Sequence, residues 1–273
     1  MKRAKSMLWF LMVPALIGSI AAQAPTPPPV YSLIGLWEVT GSDAKLFEDN
    51  FSKYQKPILD KFVADGTIVE YGFETSALHT PEGYTHTRWI TAESRANLEK
   101  AISTIVAAFD KMPVEQRTKM DKDYDRMIKK HRDYLTSTAG YRNKPGQYTK
   151  GYAMESFFQA KPGKMRELQA LWDKYNKPIF DQLLNDGVLL SYGVDTELFH
   201  TEQPGGIVVW YVTPDMAAED KIDKAFDDAR AKLSQEERDN FSKTMRELTE
   251  TEKHRDSLSV IRFYSSRAYQ PIS

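Results

Sequence analysis

The chain of 273 residues contains no cysteine, so it has no disulfide, no thiolate metal ligand and no cysteine nucleophile. Its fold must therefore be held by a hydrophobic core alone. The sequence also lacks a strong charge of either sign, because its formal net charge is −1. This balance argues against nucleic acid or an anionic membrane as a partner. Glycine-rich phosphate loops and serine nucleophile motifs are absent as well.

The one long apolar run stands near the N-terminus. Lys2, Arg3 and Lys5 precede the apolar residues 7–20, and small residues follow. This order is typical of a secretory signal peptide, and the run is too short for a comfortable membrane span. We predict a signal peptide over 1–24, a proline-rich spacer over 25–30, and an exported protein, periplasmic or extracellular, with no stable membrane insertion after cleavage. An uncleaved N-terminal anchor is the alternative.

The rest of the sequence contains an internal repeat. Residues 53–80 and 174–201 are identical at 13 of 28 positions without a gap. KHRDYL (130–135) matches KHRDSL (253–258) after a shift of two residues. This repeat indicates a duplication into two long units rather than a solenoid of short repeats. We place the first unit at 31–145 and the second at 146–273.

Each unit shows the same order of elements. An aromatic-rich strand precedes an amphipathic helix, which Pro57 or Pro178 should kink or break and Gly66 or Gly187 should end. Two alternating strands, a pair of helices and a last strand follow. The predicted fold class is therefore α+β, with two ferredoxin-like βαββα(α)β units.

This order, together with phrases such as KPGKMRELQALWDKYNKPIF (161–180), resembles the dimeric α/β-barrel superfamily. Members include antibiotic-biosynthesis-type monooxygenases, EthD-like and NIPSNAP-like proteins, and haem-handling enzymes. The resemblance implies a fused, monomeric pseudo-dimer whose two sheets pack face to face as a barrel. In such a barrel the second strand of each unit meets the fourth strand of the other. No catalytic motif of these families is matched, so the resemblance implies no particular chemistry.

Four of the five histidines occupy duplicated positions, His79 with His200 and His131 with His254. We expect the first pair on loops after the second strand and the second pair just before the fourth strand, all at one rim. His79 would then approach His254, and His200 would approach His131. Imidazoles there could contact a ligand, act as bases, or ligate haem iron or another metal. No HxxxH, HxH or HExxH spacing supports a metal, so no cofactor is predicted and haem or metal is the less favoured alternative.

The two histidine pairs should differ in role. His131 continues the helical spacing of Tyr124 and Met127, which favours a packed helix end. His79 and His200 are the better functional candidates because loops on a rigid scaffold often carry function. The structural alternative is that all four histidines fix loops and turns.

A polar strip occurs only in the first unit. It comprises Glu70, Glu74, His86 and Arg88, where the second unit has Ser191, Asp195, Ile207 and Val209. Strand alternation predicts that Glu70 and Glu74 face the barrel interior, where burial would raise the pKa of a carboxyl and make it a candidate base. A Glu–Arg ion pair that fills the barrel is the structural alternative. The asymmetry favours the first unit as host of a single site.

These patterns favour an exported barrel protein that binds a small organic molecule in a barrel cavity or at its rim. They leave open whether the protein is an enzyme. A cofactor-independent monooxygenase or isomerase is one alternative, and a non-catalytic cell-envelope interaction module is the other. The catalytic candidates are Glu70, His79 and His200. The ligand-binding candidates are Glu70, Glu74, His79, Arg88, His131, His200 and His254, and no metal-binding residue is predicted.

Overall fold

The computed structural model describes residues 29–199 and 205–269. The predicted signal peptide and His200 lie outside the described residues. The strands are β1 (Val30–Val39), β2 (Glu70–Ser76), β3 (His86–Ala92), β4 (Ile128–Asn143), β5 (Gly146–Tyr148), β6 (Tyr152–Gln159), β7 (Ser191–Glu197), β8 (Gly206–Thr213) and β9 (Arg255–Ser266). The helices are α1 (Ala44–Asn50), α2 (Lys56–Ala64), α3 (Arg95–Asp110), α4 (Val114–Met127), α5 (Met165–Tyr175), α6 (Lys177–Asn185), α7 (Ala217–Ala231) and α8 (Gln235–Leu248). None of these helices is long and apolar enough to cross a membrane.

Eight strands form a closed antiparallel barrel. Around the barrel the order is β2-β3-β1-β4-β7-β8-β6-β9, and β9 pairs with β2 to complete the circle. The other junction between the two halves of the chain is β4 with β7. The second strand of each half therefore meets the fourth strand of the other, as expected. The halves join edge to edge in one continuous sheet. The two halves of this sheet therefore face each other across the interior of a closed barrel, rather than as two separate sheets.

Both helix breaks occur where the prolines predict them. Pro57 stands in the first turn of α2 and Pro178 in the first turn of α6. In the first half a π-helical turn, Phe51–Gln55, joins α1 to α2. Gly66 and Gly187 follow the helices with φ of 80° and 79°, a conformation that glycine adopts without a Cβ clash.

The repeated Lys-Pro-Ile-x-Asp and Tyr-Gly motifs join a helix to a strand in each half. The Lys56 ammonium lies 2.7 Å from the Asp60 carboxylate, and the Tyr71 hydroxyl donates to the same carboxylate at 2.5 Å. The second half repeats this arrangement with Lys177, Asp181 and Tyr192. These retained residues therefore fix α2 and α6 on the sheet rather than serve a ligand.

The outer face of the sheet carries one hydrophobic core in each half. The first core lies beneath α1, α2 and α3 and includes Phe47, Phe51, Leu59, Tyr71 and Ile90. The second lies beneath α5, α6 and α7 and includes Trp172, Phe180, Leu183, Tyr192 and Ile222. The inner face of the sheet lines the barrel.

Repeated glycines make room for repeated tryptophans inside the barrel. A Cβ on Gly72 would lie 2.0 Å from the Trp89 ring, and a Cβ on Gly193 would lie 2.9 Å from the Trp210 ring. Neither glycine has a positive φ. Space for side chains rather than backbone conformation therefore explains these two glycines: the Trp89 indole at Gly72, and the Thr138 methyl together with the Trp210 indole at Gly193.

Strand β4 starts earlier than its sequence suggests. It pairs with β1 from Ile128 onward, so that His131 lies opposite Trp37. The prediction of a packed helix end at His131 is wrong, because pairing with β1 extends the strand through a polar segment that lacks apolar alternation.

We expect Gly72→Ala to lower the free energy of unfolding by about 1–3 kcal/mol, because the new Cβ overlaps the Trp89 indole. Gly206→Ala is the matched control, since a Cβ there would meet nothing within 4 Å. Its effect should stay within about 0.5 kcal/mol. Urea unfolding measures both variants, and equal effects would contradict this account of the packing.

Candidate functional site

The sheet divides the predicted polar strip between its two faces. Glu70 and Glu74 face the barrel interior, as expected. Arg88 lies opposite Phe73 of β2 and, like His86, points outward beneath the helices. The polar strip suggested a single cavity lined by Glu70 and Arg88. This prediction is wrong, because the sheet separates the two side chains.

Glu70 is fully buried inside the barrel and accepts three hydrogen bonds. Tyr141 and Tyr264 donate to its Oε2 at 2.6 and 2.7 Å, and the Trp89 indole donates to its Oε1 at 3.2 Å. Burial raises the pKa of Glu70 to about 7, while these three hydrogen bonds act in the opposite direction. The carboxyl is therefore neutral in part at physiological pH.

Three more carboxyls share the interior with Glu70. Asp195 accepts hydrogen bonds from Thr136 at 2.9 Å and from the Trp210 indole at 3.0 Å. Burial raises the pKa of Glu74 well above its usual range, and the charge of Glu155 adds to this shift. Burial also raises the pKa of Glu155 itself. Sequence reasoning missed Glu155, although alternation along β6 places it on the same face as Phe157.

One end of the barrel interior is open to solvent. The side chains that face inward there are half-buried: Ile34, Leu36, Glu155, Phe157 and Val208. The other end is closed by a packed cluster of Val30, Val69 and Tyr141, against which Trp210 and Tyr269 lie. The interior is therefore more accessible at the first end, while Glu70, Glu74 and Asp195 stay buried.

On the outer face, Arg88 is held in a half-buried recess of the first half. Its Nη1 donates to the Gln55 side chain at 2.8 Å, and its guanidinium lies 5.4 Å from the centre of the Trp37 ring. Within the described part of the chain no carboxylate forms an ion pair with this guanidinium, and its buried Nε has no hydrogen-bond partner. Burial lowers the pKa of Arg88, and the charge of Asp133 acts in the opposite direction. The neighbouring Tyr124 has its pKa raised by burial to about 12.

His131 and Asp133 complete this recess at its solvent side. The His131 ring stacks on Trp37 with centroids 4.9 Å apart, and its Nε2 lies 3.2 Å from the Asp133 carboxylate. Gly35 lets the Trp37 ring lean over the strand, since a Cβ there would lie 2.4 Å from the indole. We call this set the Arg88 recess, and it comprises Gly35, Trp37, Gln55, Arg88, Tyr124, His131 and Asp133.

The second half fills the equivalent position with apolar side chains. The repeat places Phe158, Val209 and Met245 where the first half has Trp37, Arg88 and Tyr124. All three pack against the second hydrophobic core. The polar recess is therefore not required by the fold, because the other half does without it.

His79 and His254 are the remaining described histidines at duplicated positions. His79 is exposed on the loop after β2, and His200 lies outside the described residues. His254 lies on the outer face against Phe158, with its Nε2 3.7 Å from Asp256. Among residues 29–199 and 205–269, no group of three or more histidine and acidic side chains is placed to hold a metal.

His86 belongs to the first hydrophobic core. Its ring packs on Phe47 and Phe73, and its Nδ1 lies 2.8 Å from the Thr85 hydroxyl. Burial and the charge of Arg262 lower the pKa of His86 to about 4. The imidazole is therefore neutral at physiological pH.

Comparisons with known proteins support the fold and give no family. No protein-family model matches the chain, and no curated protein matches it. Among solved structures, the chain is similar to a putative monooxygenase from Lactobacillus acidophilus NCFM, with a TM-score of 0.62 and 7% identity over 90% of this chain and 100% of that one. A putative monooxygenase from Fusobacterium nucleatum subsp. nucleatum ATCC 25586 gives a TM-score of 0.62 and 9% identity over 90% of this chain and 98% of that one. These similarities show a shared α+β barrel fold, and a fold alone does not assign a chemistry.

The raised pKa of Glu70 predicts that stability falls as the pH rises. The folded state holds the proton of the Glu70 carboxyl more tightly than the unfolded state does. This contribution to stability is therefore complete below the ordinary pKa of 4.5 and is lost as the pH rises to about 7. The full effect corresponds to about 3 kcal/mol. We expect Glu70→Gln to flatten the pH dependence of the unfolding free energy between pH 5 and 8. Glu115→Gln, at an exposed position on α4, is the control, and an unchanged slope in Glu70→Gln would contradict this role.

Proposed function

We propose that the chain binds a small organic oxyanion in the Arg88 recess. One observation carries the proposal: within the described residues a half-buried guanidinium forms no ion pair, with Asp133 acting on it through its charge alone, and its buried Nε is unsatisfied at a position where the other half is apolar. Buried charges in proteins are paired as a rule, because desolvation is costly. A carboxylate, phenolate or enolate of the ligand would supply the missing partner and accept a hydrogen bond from Nε.

The rest of the recess suits a planar molecule. Trp37 offers an aromatic ring beside the guanidinium, and Gln55 and Tyr124 add neutral polar groups. A few placed polar groups among aromatic walls are typical of ligand sites. This site belongs to the first half, which the sequence asymmetry already favoured, although it lies outside the barrel.

Titration with 8-anilinonaphthalene-1-sulfonate, a planar aromatic anion, tests this proposal through its fluorescence. We expect Arg88→Val to weaken binding at least tenfold, since the guanidinium provides the charge and the hydrogen bonds. Valine is the residue of the second half at this position, so the variant should fold. Arg95→Val, an exposed arginine at the start of α3, is the matched control. Equal affinity of the Arg88→Val variant and the wild type would rule out the recess as the anion site.

A cofactor-independent monooxygenase is the second candidate function, and the His131–Asp133 contact favours it. With Nε2 donating to Asp133, Nδ1 is the ring nitrogen left to act as a base. His131 would remove a C–H proton from an enolisable substrate, and Arg88 would hold the resulting enolate oxygen. Oxygen would then react with the enolate carbon; for anthrone, one O₂ gives anthraquinone and one water. Two structural neighbours described as putative monooxygenases are consistent with this candidate.

Oxygen consumption with anthrone as substrate tests the second candidate. We expect His131→Ala to lower the rate at least about 100-fold, in the range that general bases contribute. His254→Ala is the matched control, because His254 faces Asp256 in the half that lacks the arginine. Loss of activity in both variants, or in neither, would count against His131 as the base.

We also infer that the chain is a fused pseudo-dimer of two ferredoxin-like units. The repeated Tyr–Asp–Lys contacts and the repeated Gly–Trp pairs support this interpretation. Gly193→Ala should then destabilise the protein as Gly72→Ala does, and urea unfolding would show a difference if the two positions were not equivalent.

A further inference from the structure

A groove of about 570 Å³ lies on the outer face of the first half, between α3 and the sheet. Leu33 of β1 and Leu135 of β4 form its floor, and α3 contributes Leu98, Ile102 and Val106 to its wall. Leu33 and Leu135 are half-buried, and Val106 is 50% exposed. These apolar side chains therefore remain partly open to solvent, although a helix lies beside them.

The groove begins next to the Arg88 recess on the same face of the sheet. Gly35 of β1 is opposite Arg88 of β3, and Leu33 of β1 is opposite Leu135 of β4. Residues two apart on a strand share a face and lie about 7 Å from each other. The apolar floor of the groove is therefore adjacent to the residues that surround the guanidinium.

The Trp37 indole bridges the recess and the groove. Its ring leans over Gly35, where a Cβ would lie 2.4 Å from the indole and 3.1 Å from a carboxylate oxygen of Asp133. The indole thus extends along β1 in the direction of Leu33, and Gly35 places no side chain between them. A ligand that contacts the indole would therefore continue directly onto the apolar floor.

The charged side chains of the groove lie at its edges. Glu99 and Asp110 are exposed, and Asp110 lies 3.4 Å from Arg117. Arg95 is exposed as well and extends over the Tyr31 ring, 5.5 Å from its centre, at the end remote from the recess. The floor nearest the recess is therefore neutral and apolar, which suits a hydrocarbon rather than a second charged group.

We propose that the ligand of the Arg88 recess carries an alkyl tail, and that this tail lies in the groove beside α3. The inference rests on the proposed function, because the groove by itself gives no reason for an anionic head. The guanidinium and the Trp37 ring receive a planar oxyanion, while Leu33, Leu135 and Ile102 cover the tail. The volume of the groove lies within the range of about 300–1,000 Å³ that is typical of ligand sites. The ligand class is therefore an alkyl-substituted aromatic carboxylate or phenolate.

Isothermal titration calorimetry with para-hexylbenzoate and para-ethylbenzoate tests the tail, because the two probes share one anionic head. Each fully buried methylene raises affinity about fourfold. The open groove buries only part of the tail, so we expect the hexyl probe to bind the wild type at least about tenfold tighter than the ethyl probe. Arg88→Val should weaken both probes at least about tenfold, since both need the guanidinium.

Ser103→Trp and Thr104→Trp form a matched pair for the groove. Both residues are exposed on α3 and donate to the Lys100 carbonyl oxygen, at 3.2 and 2.7 Å. Ser103 lines the groove, whereas Thr104 lies on another side of the helix. Ser103→Trp should weaken the hexyl probe at least about tenfold and change the affinity for the ethyl probe less than about twofold. Thr104→Trp should leave both affinities unchanged.

Thermal melting checks that the variants fold. If Ser103→Trp does not fold, Val106→Gln places an amide on the same wall and should weaken the hexyl probe selectively.

The groove and the recess fail in different ways. If Ser103→Trp binds the hexyl probe as tightly as the wild type, while Arg88→Val weakens both probes, the groove is contradicted and the recess remains the anion site. Equal affinity of the wild type for the two probes would have the same meaning. Wild-type affinity of Arg88→Val for both probes would contradict the recess, and the tailed oxyanion with it.

Discussion

Two strand pairings between the halves, β2 with β9 and β4 with β7, determine nearly everything else in the molecule. They remove the free edges of the eight-stranded sheet, which would otherwise invite association with other chains. The β2–β9 junction also brings Tyr264 to Glu70, so this carboxyl has all three of its donors only when that junction is closed. Closure of the barrel therefore completes the hydrogen bonds of its buried acid.

The sheet separates an interior that contains acidic side chains from an outer face that contains a basic one. Inside it lie four carboxyls and two indole groups, and burial raises the pKa of carboxyls such as Glu70 and Asp195. Outside it, in the first half only, a guanidinium lies half-buried beside Trp37 with an unsatisfied Nε. Val209 shows that the fold tolerates an apolar residue at the position of Arg88. The fold therefore does not require the arginine.

Local signals in the sequence were sufficient for the helix breaks at Pro57 and Pro178 and for the inward direction of Glu70, because each depends on neighbours along the chain. The register between β2 and β3 could not be predicted from the sequence. Arg88 faces outward because it pairs with Phe73, and the loop between the two strands does not determine that pairing. The nearness of Glu155 to Glu74 depends on the order β6-β9-β2, which joins distant parts of the chain. Assembly of the site therefore required the three-dimensional structure.

Among the strands of residues 29–199 and 205–269, the closing strand β9 is also the last to be synthesised. Glu70 pairs with Ser266, so the ladder that completes the barrel joins segments separated by most of the chain. Non-local pairings of this kind slow folding, and until they form the edges of β2 and β6 stay open to wrong partners. The barrel cannot close during translation before the C-terminal strand has emerged. A truncation that removed β9 alone would take a partner from β2, β5 and β6 at once.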